Sequence, residues 1–154
     1  MIAFSQEVDI MDDTTIEGLE GQLLQGAIAL MLGWSDLHLG PGEWGEVLLG
    51  MPPAEFHRAP VPPYHASLDA CFADIVPFLR QAPRGFEVTI ATEEQGEALP
   101  YCVVWFTRCL GEDEIEVCAR VGGKDLAHTV STALCRAALK AHERVTGNGE
   151  SAIA

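Results

Sequence analysis

In the second half of the chain, apolar residues recur with a period of two over three stretches and then switch to a helical period. Phe86, Val88 and Ile90 alternate with Glu87, Thr89 and Ala91, which predicts a half-buried first strand. The run YCVVWFTRC from Tyr101 to Cys109 is apolar on both faces. Tyr101, Val103 and Trp105 point one way and Cys102, Val104 and Phe106 the other, because side chains alternate along a strand. Its β-branched and aromatic content marks it as the central strand, in need of cover on both sides. A third strand sets Ile115, Val117, Ala119 and Val121 against Glu116, Cys118 and Arg120. The polar turn at 93–96 and the acidic turn at 111–114 are short, so the three strands are read as an antiparallel meander. Gly122 and Gly123 end the last strand, Asp125 caps, and a helix follows to about Val145 with Leu126, Val130, Ala133, Leu134, Ala137, Ala138 and Ala141 as its buried stripe.

The first half is less regular. Ile16, Leu19, Leu23, Ala27, Leu30 and Met31 recur at helical spacing between an N-cap at Thr14 or Thr15 and a stop at Gly33. Gly18, Gly21 and Gly26 inside this helix each cost roughly 1 kcal/mol against alanine, so it must lean on tertiary packing. Residues 34–63 are dense in glycine and proline and are read as a long irregular loop, with short helical turns near Trp44 to Leu49 and at Ala54 to His57. The aromatic trio Trp34, Trp44 and Phe56 packs it down or anchors a partner. A second helix is expected from Ala66 to Gln81, kinked at Pro77, which has no N–H to give the carbonyl of Ala73. Residues 1–13 read as an acidic tail or an edge strand near Ile2 to Phe4, and 147–154 as a disordered end. The expected fold is therefore one α+β domain over 14–146, a three- to four-stranded antiparallel meander with helices packed on it. A chain of 154 residues buries about 70% of its unfolded surface and needs no staple.

Charge adds a direction to this picture. Nine Lys and Arg stand against 23 Asp and Glu, for a net −14, and the first Lys or Arg is Arg58, so residues 1–57 alone carry −10. Such asymmetry argues against direct nucleic-acid binding and for a basic partner. The acids expected to face that partner are Asp12, Asp13, Glu17, Glu20, Glu93, Glu94, Glu97, Glu112, Asp113 and Glu114. The opening MIAFSQEVDI has no basic region of a signal peptide, and the apolar run from Leu23 to Trp34 is too short to span a bilayer. A cytoplasmic location is expected. Cys71, Cys102, Cys109, Cys118 and Cys135 form no CxxC pair and read as reduced thiols.

Candidate chemistry is sparse. No G-x-S-x-G element and no metal-spaced His or Cys set occurs, so no catalytic residue, metal or cofactor is expected. Gly122-Gly123-Lys124 at a helix start is a weak anion-holding signal, with Tyr64 and His65 placed nearby. The face carrying Cys102, Val104 and Phe106, framed by Arg108, Cys118 and Arg120, is expected to form a two-fold homodimer contact if helices cover the Trp105 side.

Several segments together resemble a known family. Met31-Leu32-Gly33-Trp34 closes the first helix, Pro62-Pro63-Tyr64 leads into a helix with Ala70, and the meander holds Phe86 and Val103-Val104-Trp105. Above all, LCRAALKA runs from Leu134 to Ala141. This combination is similar to the phage ABA-sandwich domain of small phage and prophage proteins, although His65-Ala66-Ser67 follows the tyrosine where that family tends to have Ser-Thr-Asp. The resemblance implies helix–sheet–helix layering and a phage origin, hence the cytoplasm of an infected or lysogenic bacterial host. It implies no reaction. In size and acidity the chain also looks like phage inhibitors of host defence, anti-CRISPR proteins among them. The expected function is thus a non-enzymatic, acidic inhibitor that docks on a CRISPR surveillance complex, with a module binding an anionic nucleotide signal as the alternative.

Overall fold

A computed structural model describes residues 12–42, 45–81, 84–110, 113–123 and 125–146. The expected N-terminal tail or edge strand, the anchor Trp44, Glu112, Lys124 and the C-terminal end lie outside the described residues.

The first helix is two helices. Asp12, not a threonine, is the N-cap of α1 (Asp13–Glu17), its Oδ1 accepting the Thr15 N–H at 2.7 Å. Gly18 closes α1, and Gly21 opens α2 (Gly21–Met31) with φ +53°, a left-handed value that favours glycine. Two of the three glycines that weakened a single helix thus mark the break, while Gly26 lies buried inside α2.

Residues 35–60, expected as an irregular loop with helical turns, form a second sheet instead. Strands β1 (Ser35–Gly42), β2 (Gly45–Met51) and β3 (Ala59–Pro60) run antiparallel in that order. The glycines here make room for neighbours: a Cβ at Gly40 would lie 2.5 Å from Leu49 Cδ1, and one at Gly50 2.6 Å from Leu37 Cδ2. Pro41 and Pro60 sit on the two edge strands, where a missing N–H removes no ladder bond. Buried Gln25 ties α2 to the chain leaving this sheet, its Nε2 donating to the carbonyls of Val61 and Pro62 at 2.9 and 3.1 Å.

The next helical segment, α3, joins α-helical Leu68–Ala70, a π turn Cys71–Ile75 and α-helical Val76–Arg80, with Ser67 Oγ capping Ala70 N–H. Pro77 was expected to kink this helix. The turn before it widens instead, with Val76 N–H bonding Cys71 O, which lets the carbonyl that the proline ring would strike move aside.

The meander is as expected: β4 (Glu87–Glu94), β5 (Glu97–Leu110) and β6 (Asp113–Gly122), antiparallel in sequence order. Its register decides which face is covered. Val88 lies opposite Phe106 and Phe106 opposite Val117, while Ile90, Val104 and Ala119 align one step along. These residues form the face under the helices, because directly paired residues share a face. The homodimer contact proposed from Cys102, Val104 and Phe106 is therefore corrected. All three are buried inside one chain, with Cys102 Sγ 3.5 Å from Thr129 O of the covering helix. Arg108 is on that same side, 5.5 Å from the Phe86 ring, whereas Cys118 and Arg120 lie on the opposite face with Trp105. The six residues span two sides of the sheet and cannot form one contact.

The last helix, α4 (Leu126–Thr146), is capped as expected by Asp125, whose Oδ1 accepts His128 N–H. It is more than a helix seated on a sheet. Residues 129–135 and 137–141 are buried without interruption, because α4 has β5 and β6 on one side and α1, α2 and α3 around the rest. Its polar residues are satisfied individually: Ser131 Oγ donates to Ala127 O, Thr132 Oγ1 to His65 O, and Lys140 Nζ to Cys118 O.

A candidate anion-binding cleft at the start of the last helix

The turn between β6 and α4 is tightly seated. A Cβ at Gly123 would fall 2.6 Å from Thr129 Oγ1, which itself donates to Asp125 O at 2.7 Å, so only glycine lets the turn approach the helix this closely. Beside it opens a cleft of about 800 Å³. His65, His128, Arg120, Arg136, Thr129 and Thr132 line it together with Gly122 and Gly123, and Glu20 and Asp125 contribute carboxylates. Asp125 already caps the helix, so an incoming anion meets arginine and histidine side chains rather than a bare helix end.

His65 reaches this cleft because Thr132 holds its backbone carbonyl at 3.1 Å. Its ring meets His128 edge-on, with centroids 6.3 Å apart, and its Nδ1 is buried without a hydrogen-bond partner among the described residues. Burial, and then the neighbouring His128, hold the His65 imidazole below its ordinary pKa. Arg136 is fixed from the other side, donating through Nε and Nη2 to Leu19 O at 3.2 and 3.0 Å. Tyr64, expected near the same site, turns away: its ring is fully buried and its hydroxyl donates to Asp74 at 2.6 Å. Burial, then the Asp74 hydrogen bond, raises that phenol far above its usual value.

A second groove of about 500 Å³ continues from the cleft along α4 and β6, sharing Arg120 and Arg136 with it. Here lie several of the acids expected to face a partner. Lys140 Nζ bonds Glu17 Oε1 at 2.6 Å, Arg144 pairs with Asp13 at 3.5 Å, and Arg136 stands 3.8 Å from Glu20. Arg136, Lys140 and Arg144 fall on successive turns of α4, so they meet three acids of the opening segment in order. The Lys140 hydrogen bond, then its charge, lowers the Glu17 pKa.

The remaining acids are split. Glu93 and Glu97 are exposed at the β4–β5 hairpin, and Glu114 is exposed at the β5–β6 end. The length of β5 separates these ends by about 40 Å at strand rise. For Glu94 and Asp113 only the backbone is described. The nine of these acids that are described thus occupy three places rather than one face. Among the described residues, no group of three or more His, Cys, Asp or Glu stands close enough to hold a metal, and no helix is long and apolar enough to cross a membrane. The five cysteines form no disulfide, although Cys71 and Cys135 Sγ lie 4.0 Å apart in the core, both directed at Tyr64 O.

Sequence reasoning singled out Gly122, Gly123 and His65 for this cleft but missed Arg136 and His128. The one signal for Arg136 was its place inside LCRAALKA. No protein family, curated protein or solved structure matches the chain.

Proposed function

We propose that this protein is a non-catalytic binding module of phage origin, acting in the bacterial cytoplasm, whose cleft holds a small phosphorylated ligand of the nucleotide class. The observation that carries the reading is the convergence of Arg120, Arg136, His65 and His128 on one cleft in a chain of net charge −14. Guanidinium forks suit phosphate oxygens, and a histidine that takes up a proton on binding adds charge where the anion sits. Titration with nucleoside mono-, di- and triphosphates, cyclic dinucleotides and inorganic phosphate tests it. At least one should raise Tm in a concentration-dependent way, and Arg120→Ala should abolish the effect, since Arg120 is exposed and makes no ion pair among the described residues. Failure of the whole panel to stabilise the protein at millimolar concentration would sink the reading.

A second reading, the acidic inhibitor that docks on a basic surface of a host CRISPR complex, draws support from one observation. Glu93, Glu97 and Glu114 enter no ion pair among the described residues, unlike Asp13, Glu17 and Glu20. Reversing Glu93 and Glu97 to lysine should release a captured host complex; unchanged capture removes this reading. For a homodimer, the outer sheet face replaces the buried one. A two-fold axis crossing the strands at Trp105 would set Arg120 against Glu116 of the second copy, since they lie on one strand, on one face and to either side of Trp105's partner Cys118. A sedimentation experiment showing only monomer at micromolar concentration rejects it.

A further inference from the structure

On the far side of Tyr64 a separate cleft of about 380 Å³ opens between the β2–β3 connection and α3. Trp34, Phe78, Pro53 and Pro77 supply apolar walls, and among the described residues Asp74 is the one charged residue lining it. Tyr64 forms the floor, and its hydroxyl donates to Asp74 at 2.6 Å. This buried phenol fixes the carboxylate from behind. Asp74 is exposed and joins no ion pair among the described residues. Its position depends on the π turn Cys71–Ile75, whose extra residue rotates Asp74 relative to a regular helix. Such turns concentrate at functional sites.

A single oriented carboxylate set among an indole and proline rings is the chemistry that recognises an alkylated ammonium group. The carboxylate supplies the counter-charge, and the indole and ring methylenes accept the weakly hydrated alkyl surface. The net charge of −14 also favours approach of a cation over an anion. Arg84 limits where the cation can sit. Its guanidinium already stacks 3.8 Å over the Phe78 ring, so Trp34 rather than Phe78 makes the aromatic contact. We infer that the cleft of Trp34, Tyr64 and Asp74 is a binding site for a small organic ammonium cation, distinct from the anion cleft on the other side of the Tyr64–His65 segment.

The test titrates the intact protein with choline, and with its neutral carbon isostere 3,3-dimethyl-1-butanol, following the indole N–H resonances by NMR. Choline should shift the Trp34 indole, the neutral isostere should bind about tenfold more weakly, and Asp74→Asn should weaken choline by about tenfold with an unchanged circular dichroism spectrum. Asparagine keeps an acceptor for Tyr64, so the fold is retained. Equal binding of the two probes, equal binding by Asp74→Asn, or no shift of Trp34 with millimolar choline would each overturn the inference. The wild-type titration decides even if the variant fails to fold.

Discussion

Glu17→Gln is expected to destabilise the protein more than Lys140→Met, although the lysine is the buried partner. The Lys140 side chain is 6% exposed and that of Glu17 59%. Lys140 Nζ has two bonds, to Glu17 Oε1 at 2.6 Å and to Cys118 O at 2.9 Å. Glu17→Gln keeps an amide oxygen but removes the counter-charge, leaving a desolvated ammonium facing two neutral oxygens, with Arg136 and Arg144 a turn away on either side. A hydrogen bond to a charged group contributes about 1.5–3 kcal/mol. The solvent around Glu17 lowers that figure, so about 1–2 kcal/mol is expected for Glu17→Gln. Lys140→Met replaces the ammonium with an apolar chain of similar length and returns Glu17 to water, at a cost of about 0–1 kcal/mol. Urea unfolding of both variants and of the double variant measures this, and Tm should fall by about 2–8 °C for Glu17→Gln. The double variant should match Lys140→Met alone. The Glu17 contribution should survive added salt, because Nζ is shielded from water. Its pKa is lowered in the fold, so the contribution is present above 4.5 and is lost as pH falls through the lower folded value. A neutral Glu17→Gln beside a Lys140→Met loss above about 2 kcal/mol would refute the reasoning, since the acid would then not be what compensates the buried charge.

Two further perturbations test other parts of the molecule. His65 and His142 both have imidazole pKa values below 6.5 in the fold, through burial first and then through His128 and Arg84 respectively. Stability should therefore be full above pH 6.5 and decline as pH falls below it toward the folded values, and His142→Gln should flatten the fall of the urea midpoint just below pH 6.5. Gly123→Ala should cost about 1–3 kcal/mol through overpacking against Thr129 Oγ1. Thr129→Ala in the same chain should recover part of it, and strict additivity of the two changes in urea unfolding would contradict the contact.

The meander and the closing helix were legible because their apolar periods are clean. The parity of β5 was not. Val88 and Ile90 on one neighbour and Val117 and Ala119 on the other each mark a single buried face, but β5 is apolar on both, so periodicity alone leaves open which side joins theirs. The β4–β5 turn, with Gln95 and Gly96 both at positive φ, pairs Glu94 with Glu97, a register that would carry on to set Val88 against Val103; the irregularity between Ala91 and Glu93 shifts the pairing by three residues, so Ile90 meets Val104 and Val104 turns inward. The second sheet was hidden for the opposite reason. Gly40, Gly42 and Gly50 read as loop punctuation, yet each is small because a leucine or valine side chain of the partner strand occupies the space its Cβ would take. Pro41 and Pro60 read as strand breakers until the sheet edges are known. In α4 a stripe was visible, but burial on all sides depends on Glu17, Cys118 and His65 meeting Lys140 and Thr132 from distant parts of the chain. The cleft was half legible: Gly122, Gly123 and His65 were singled out together, whereas Arg120 was assigned to a dimer contact whose other members are divided between the two faces of the sheet.

The distribution of charge separates the two functional readings by their response to salt. A chain at −14 repels an anionic ligand at long range, while Arg120, Arg136 and the histidines attract it only inside the cleft. At physiological ionic strength the Debye length is about 8 Å, so added salt screens the overall repulsion as well as the local attraction. The two changes oppose each other, and affinity for the ligand should vary by less than about threefold between low and high salt. Docking of the hairpin acids on a basic partner has no such compensation, because long-range field and local contacts attract together, and it should weaken by at least about tenfold over the same range. A steep loss of ligand affinity with salt would mean that the net charge does not reach the cleft. The cations of α4 and β6 would then have to form an electrostatic compartment of their own, walled off by the ion pairs with Asp13, Glu17 and Glu20, and neutralising those three acids should restore the weak dependence.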